Sequence, residues 1–180
     1  MSRYAQVSCR IAHVRDAWQV EHWQGREGLD TPFSFQITLV CRGGEDDPDW
    51  IDREACLTFS GPLGTRHVHG LIVRQVTQAE DRGLCTTTLE IAPCTDILAH
   101  RTGRRVFEKA SVQDILRTLW REAGLPPGDL HFDLRGTLFR PAMTVQFDES
   151  EWDFITRLLA EQGLHYHFEH EAHRHVLVIS

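Results

Sequence analysis

The residues with the clearest potential for chemistry are histidines near the end of the chain. Five of the 11 histidines fall in the last 16 residues: His165, His167, His170, His173 and His175. His165 and His167 are two residues apart in a predicted strand, so both imidazoles would project from one face. A third nitrogen from His175, across a predicted hairpin, would complete a zinc site. Simple alternation of residues along a strand explains the same pattern without a metal, and we favour that interpretation.

A second group of candidate residues is acidic. Asp148, Glu149, Glu151 and Asp153 are close enough in sequence to mimic the paired carboxylates of a hydrolase. The start of a predicted helix accounts for the same residues, because negative charge is favourable at the positive end of the helix dipole. The acidic loop at residues 45–49 lacks the ligand spacing of a calcium-binding EF-hand, so we predict a solvated loop there.

Other signatures of catalysis or cofactor binding are absent from the sequence. It contains no G-x-S-x-G nucleophile motif, no P-loop and no G-x-G-x-x-G motif. The five cysteines are odd in number and none are spaced as C-x-x-C, which argues against a disulfide framework and a zinc ribbon. We therefore predict buried thiols in a reducing cytoplasm and a protein with no catalytic residue, no enzymatic activity and no cofactor.

The composition is that of a folded globular protein. The chain has 180 residues, of which 41% are hydrophobic and 25% charged, and its formal net charge is −7. These values exclude a disordered chain, and the negative charge disfavours a nucleic-acid partner. The segment MSRYAQVSCR has no apolar core, and no run of 18 apolar residues occurs. We therefore expect synthesis in the cytoplasm without a cleaved signal peptide.

The first hundred residues are predicted to form an antiparallel meander of short strands. Residues 33–41 alternate strictly between apolar and polar side chains, which indicates a half-buried strand. Residues 67–77 are β-rich and contain Gly70, which is typical of a bulge or sharp bend. Residues 84–92 form a further predicted strand, after a turn at 81–83. Closure of these strands into a barrel would remove the free edges of the sheet.

Two helices are predicted after a change in character near Pro93. Residues 111–123 have apolar side chains at helical spacing, with Ser111 as N-cap, Asp114 at N3 and Gly124 after the last turn. The second helix, from about Glu149 to Gln162, follows Asp148 as N-cap and ends before Gly163.

Two short strands are predicted between the two helices, at residues 131–134 and 142–147. After the second helix, a C-terminal hairpin is predicted to turn at 171–174. At the start of the second helix, Phe147 is predicted to pack on Trp152 as a hydrophobic staple. The predicted fold is thus mainly β with two helices (α+β), an antiparallel β-barrel followed by an incomplete α/β segment.

Three stretches resemble a known family: residues 67–99, 104–125 and 140–180. The most specific part is VQFDESEWDFITRLLAEQGLHYHFEH, and PFSFQITL at 32–39 matches more loosely. These stretches resemble the N-terminal hub region of VgrG, the spike protein of type VI secretion systems. That region is related to phage late-control protein D and to the baseplate hubs of contractile phages.

The resemblance implies a structural role. It implies a tail-tube-like β-barrel domain at 1–99 and a helix-strand-helix-hairpin segment of the hub at 100–180, truncated before the family's second barrel strands. Such proteins form homotrimers that cap a stack of hexameric tube rings, the Hcp protein of secretion systems. Their needle, which is absent here, contacts membranes, and effectors attach beyond it. The chain would be secreted by the type VI machine or assembled into a phage tail.

Three hypotheses about function follow from the sequence. The leading one is a structural hub of a type VI secretion spike that trimerises and docks on the tube ring. The second is a phage tail baseplate hub of the same fold, which fold alone cannot separate from the first. The third, from another class, is a metal-dependent hydrolase that uses the C-terminal histidines His165, His167 and His175.

Overall fold

A computed structural model describes residues 6–14, 18–42, 49–62, 64–80, 84–136 and 138–180. Most of the predicted acidic loop, and the turn predicted at 81–83, lie outside these residues. The chain divides into two compact units. The first contains Met1–Glu27, Phe33–Pro93 and His170–His175, and the second contains Gly28–Pro32, Cys94–Glu169 and Val176–Ser180. None of the helices in the described ranges is long and apolar enough to cross a bilayer.

The main feature of the first unit is a six-stranded sheet. Its strands are β1 (Gln6–Ile11), β2 (Gln19–Gly28), β3 (Thr31–Arg42), β4 (Glu54–Gly61), β5 (Gly64–Glu80) and β6 (Leu84–Ala92). Hydrogen-bonded neighbours follow the order β1-β4-β5-β6-β3-β2, and the pairs β1–β4, β4–β5, β5–β6 and β3–β6 are antiparallel. The sheet curls into a half-barrel. This architecture confirms the mainly β fold class.

One face of the sheet carries the core of the first unit. The side chains of β3 that point to this face are all buried: Phe33, Phe35, Ile37, Leu39 and Cys41. Burying each large apolar side chain contributes about 1.5–3 kcal/mol to folding. A shift of register by one residue would move the whole set into solvent, so the alternating pattern also specifies how β3 pairs. The strand predicted at 33–41 is therefore confirmed.

Gly70 of β5 lies where the chain passes very close to β6. A Cβ atom at this position would lie 2.6 Å from the carbonyl oxygen of Ala92 and 2.7 Å from Cγ2 of Ile91. The pairing of β5 with β6 shifts register between Ile72 and Arg74, which marks a bulge. The close approach explains why the strand contains a glycine, and the bulge fits the irregularity predicted here.

The second unit combines helices with two small sheets. Its elements are α1 (Asp96–Ala99), β7 (Thr102–Glu108), α2 (Val112–Glu122), β8 (Leu130–Phe132), β9 (Met143–Ser150), α3 (Glu151–Glu161), β10 (Tyr166–His170) and β11 (His175–Ile179). Strands β7 and β9 form an antiparallel two-stranded ribbon, and β11 lies between β10 and β8, parallel to β8. The structure confirms the C-terminal hairpin, whereas α1 and β7 were not predicted.

Helix α2 begins as the sequence predicts. The Ser111 hydroxyl accepts a hydrogen bond from the Asp114 amide at 3.2 Å, and the Asp114 carboxylate accepts one from the Ser111 amide at 3.0 Å. This reciprocal capping box satisfies two amides that the helix itself leaves unpaired. After the helix, Gly124 has a φ of +75°, which a glycine adopts without a steric penalty.

Helix α3 begins two residues later than predicted. The hydroxyl of Ser150 accepts a hydrogen bond from the Asp153 amide at 3.0 Å, so Ser150 is the N-cap. The predicted cap, Asp148, still belongs to β9 and forms an ion pair with Arg104 of β7. The N-cap prediction is therefore wrong, because pairing with β7 keeps residues 148–150 in a strand. Phe147, the predicted staple residue, lies in β9 with 66% of its surface exposed.

Candidate functional site

The first of the metal candidates, His165, contacts an aspartate of the second unit. Its Nδ1 lies 2.6 Å from Oδ2 of Asp30, and Oδ1 of Asp30 accepts a hydrogen bond from the Tyr166 amide at 2.9 Å. Although desolvation opposes the change, the hydrogen bonds from His165 and Tyr166 lower the pKa of Asp30. This carboxylate therefore ties the turn between β2 and β3 to the start of β10.

The other two metal candidates have different surroundings. His167 is exposed, and its Nε2 lies 3.7 Å from Oε1 of Glu169. His175 is only 3% exposed and contacts His69. Each of the three candidates thus has a different neighbour. Within the part of the chain that the structure describes, no group of three or more His, Cys, Asp or Glu side chains has a geometry that could hold a metal ion.

Three histidines of the first unit form a group that we call the histidine cluster: His69 and His175, which are buried, and His170, which is half-buried. Nδ1 of His69 lies 3.1 Å from Nδ1 of His175. Nδ1 of His170 lies 3.2 Å from both the amide nitrogen and the carbonyl oxygen of His69. The ring of Phe33 packs edge-on against the rings of His170 and His175, with ring centres 4.6 Å and 5.5 Å apart, respectively. The cluster holds the turn segment of the C-terminal hairpin on β5.

Burial keeps the histidine cluster neutral. It is the main cause of the lowered pKa of His69 and of His170, and it lowers the pKa of His175 to about 3, with the neighbouring histidines adding to the effect. Glu54 partly opposes the shift at His69, and Glu27 does so at His170. The histidine cluster is therefore a group of uncharged donors and acceptors rather than a charged site.

The cysteines are all present as thiols. Burial raises the pKa of Cys9 and of Cys94 to about 12, so both stay protonated. Because the thiolate is the nucleophile and the metal ligand, a thiol with a raised pKa is chemically inert. This agrees with the sequence-based interpretation that the cysteines fill space in the fold.

The acidic residues at 148–153 each have a structural partner. Oε1 of Glu149 lies 2.6 Å from Nη2 of Arg157, and hydrogen bonds from Arg157 lower the pKa of Glu149. Asp153 lies in the first turn of α3, where its amide is capped by Ser150. Glu151 is 1% exposed and faces two arginines. Helix capping and ion pairing therefore account for the charges that resemble a hydrolase pair.

Glu151 is the centre of a buried ion-pair network. Its carboxylate accepts hydrogen bonds from Nε of Arg101 at 2.7 Å, from Nη2 of Arg101 at 3.3 Å and from Nη2 of Arg105 at 2.8 Å. Arg105 also pairs with Glu122 of α2. The network therefore connects β7 to both helices, and several hydrogen bonds compensate the cost of burying the Glu151 charge.

One face of the β7–β9 ribbon is apolar and exposed. We call the side chains of Val106, Met143, Val145 and Phe147 the ribbon face, and they are 39–66% exposed. Val106 is directly opposite Val145 in the pairing register, which brings their side chains together. The guanidinium of Arg104 lies 5.0 Å from the centre of the Phe147 ring. Contiguous exposed apolar side chains of this kind mark interaction surfaces.

A groove of about 360 Å³ adjoins the ribbon face in the second unit. Its apolar lining includes Val112 and Ile115 of α2, Leu158 of α3, and Phe139, Met143 and Val145. Arg157 and Glu161, which pair with each other, also line it. The groove is mostly apolar and holds few convergent polar groups, so it fits an apolar side chain better than a polar substrate.

Comparison with known proteins identifies a family match over most of the chain. Residues 26–180 match the family described as phage tail baseplate hub (GPD). The match begins within β2 and runs through every later element of both units.

Two relatives carry spike or toxin names. The type VI secretion system spike protein VgrG4b of Pseudomonas aeruginosa is 34% identical over 172 residues, which are 95% of this chain and 21% of that protein. The actin cross-linking toxin VgrG1 of Vibrio cholerae is 39% identical over 152 residues, which are 82% of this chain and 14% of the toxin. The chain thus spans about a fifth of the first relative and a seventh of the second.

A solved structure shows the same fold. The Escherichia coli c3393 protein is described as a component of the type VI secretion system with structural similarity to the T4 bacteriophage tail proteins gp27 and gp5. It superposes with a TM-score of 0.86 at 22% identity, covering 96% of this chain and 48% of that one. The family match, the relatives and the shared fold agree, and the chain therefore belongs to the phage tail baseplate hub family, homologous to the VgrG spike proteins.

Proposed function

We propose that the chain is the N-terminal hub of a type VI secretion spike and has a structural role in a contractile injection machine. The observation that carries this proposal is the 34% identity to a type VI spike protein across 95% of the chain. Residues 1–99 would supply the tail-tube-like domain and residues 100–180 the remainder of this hub segment. The actin cross-linking activity in the name of one relative belongs to a protein of which this chain covers 14%, so we assign no catalysis to these residues.

The ribbon face supports assembly of the hub into a homotrimer. Stable assemblies bury apolar surface, and their buried centres favour Phe, Met and Arg, the residue types found at 147, 143 and 104. In a homotrimer the ribbon face would pack against neighbouring copies and lose its exposure to solvent.

The proposed partners follow from the spike role. The hub would dock on a ring of a hexameric, Hcp-like tube protein, and effectors or a needle tip would attach through other parts of the spike subunit. The protein would be made in the cytoplasm and exported by the secretion machine itself. Neither nucleic acid nor a membrane is a proposed partner of these 180 residues.

The mass in solution tests the proposal. We expect light scattering to give the mass of three chains for the spike subunit that contains this segment. Val106→Glu should shift that mass toward one chain, because it places a charge in the middle of the ribbon face. Val76→Glu is the matched control, since Val76 is also an exposed strand valine, at 42% against 58% for Val106, but lies in β5. A mass of one chain for the unmodified protein at high concentration would refute trimerisation.

A phage tail baseplate hub is the second candidate, and the description of the matched family favours it. The two roles differ in the tube protein that the hub contacts. Purified hub should bind Hcp-like rings encoded beside its gene if it serves secretion. Binding only to a phage tail-tube protein encoded there would favour the second candidate.

A further inference from the structure

The hydrogen bonds of the histidine cluster require neutral rings. The 3.1 Å contact between Nδ1 of His69 and Nδ1 of His175 needs one nitrogen to donate and the other to accept. An imidazolium ring has no acceptor nitrogen, so the contact cannot survive once both rings are protonated. The Nε2 atom of His170 is buried without a hydrogen-bond partner, and protonation would leave a charged donor there unsatisfied.

The charges around the cluster do not compensate for protonation. Glu54 of β4 lies 3.8 Å from Nε2 of His69, but its side chain is 62% exposed. Glu27 of β2 faces His170 and already pairs with Arg66 of β5, which also faces His170. The remaining neighbours, Arg10 of β1 and His173 in the hairpin turn, are basic and oppose a positive charge on His69. Phe33 of β3 contributes an apolar ring.

The histidine cluster attaches the hairpin turn to the sheet of the first unit through the contacts of His170 and His175 with His69. A hydrogen bond from Arg10 to the carbonyl oxygen of Ala172, at 2.8 Å, also reaches the turn from β1, and this contact is solvent-exposed. Imidazole rings therefore supply buried and half-buried polar contacts between residues 170–175 and the sheet.

We propose that His69, His170 and His175 form a pH-sensitive clasp, which holds the hairpin turn on β5 when neutral and releases it when the rings are protonated. This inference goes beyond the proposed hub function and does not depend on trimerisation. The clasp is closed at neutral pH and opens on acidification, when two or more positive charges would share a site whose nearest carboxylate, that of Glu54, is largely exposed to solvent.

The size of the effect follows from proton linkage. His175 has a folded pKa of about 3, below its ordinary value of 6.5, so the open form binds more protons between these values. The contribution of neutral His175 to the stability of the closed clasp is therefore fully present above pH 6.5 and falls as the pH drops toward 3. Protonation of His175 alone makes the ratio of closed to open clasp about 30-fold lower at pH 5 than at pH 8.

Hydrogen exchange measured by mass spectrometry tests the clasp in the intact chain. After correction for intrinsic exchange rates, we expect amides of residues 170–175 to lose protection between pH 8 and pH 5. In His175→Phe the protection lost over this range should be about 30-fold smaller. In His22→Phe, which changes an exposed histidine of β2 in the same unit, the loss should match that of the unmodified protein.

A second variant keeps the test decisive if His175→Phe does not fold. His69→Gln removes the central titrating ring and retains a side chain that can donate and accept a hydrogen bond. Because His175 still titrates in this variant, the pH dependence should shrink, but by less than in His175→Phe. Equal protection of residues 170–175 at pH 5 and pH 8, or an unchanged pH dependence in both variants, would overturn the proposal.

Discussion

Glu151→Gln is the substitution that best tests how the second unit is held together. The change preserves the size of the side chain and removes its charge. Glu151 accepts three hydrogen bonds from Arg101 and Arg105, and its own amide donates to the carbonyl oxygen of Arg101 at 2.7 Å. A glutamine would turn an NH₂ group toward one of the arginines, so donors would face each other where a carboxylate oxygen now accepts.

The structure sets the expected magnitude. Removing one partner of a buried ion pair costs about 3–5 kcal/mol when the other charge stays buried. Arg101 and Arg105 are 34% and 30% exposed, so water can solvate both guanidinium groups once the carboxylate is gone. The cost should therefore fall below that range, and we expect Glu151→Gln to lower the free energy of unfolding by about 2–3 kcal/mol.

Urea denaturation followed by tryptophan fluorescence measures this change, because Trp120 and Trp152 report on the second unit. Glu122→Gln is the matched control, since Glu122 also pairs with Arg105 but is 41% exposed. Glu122→Gln should lower the free energy of unfolding by less than about 1 kcal/mol. The reasoning fails if the two variants are equally destabilised, or if Glu151→Gln stays within about 0.5 kcal/mol of the unmodified protein.

Three other predictions test separate features. Gly70→Ala should lower the free energy of unfolding by about 2 kcal/mol in the same assay, because its Cβ would meet the carbonyl oxygen of Ala92. Ser150→Ala should lower it by about 1 kcal/mol, and an unchanged free energy of unfolding would contradict the N-cap assignment. Tag-free protein should contain no stoichiometric zinc by mass spectrometry, whereas one zinc per chain, lost in His167→Ala, would favour the hydrolase hypothesis.

Features that depend on neighbouring residues in the sequence were predictable. The period-two pattern at 33–41 predicts β3 because each strand residue points to the face opposite its neighbours. The Ser111–Asp114 capping box predicts the start of α2, since its hydrogen bonds span only three residues. In both cases the interactions that select the structure involve residues within one short stretch of sequence.

Features that depend on distant residues were not predictable. Asp148 was predicted as the N-cap of α3, but pairing with β7, more than 40 residues earlier, extends β9 to Ser150 and makes Ser150 the N-cap. The histidine cluster joins His69 to His175 across 106 residues of sequence. The spacing of His165 and His167 drew attention to the hairpin, but nothing in the local pattern connects that hairpin to β5.

The buried network and the ribbon face contribute to assembly in different ways. A two-stranded ribbon is marginally stable alone, so packing on one side must hold β7 and β9 in place. Phe107 stacks on Phe154 with ring centres 5.9 Å apart, and the Glu151 network anchors the same side. A face that is rigid before association loses less entropy when it binds. Glu151→Gln should therefore weaken both folding and assembly, whereas Val106→Glu should weaken assembly while leaving the urea midpoint unchanged.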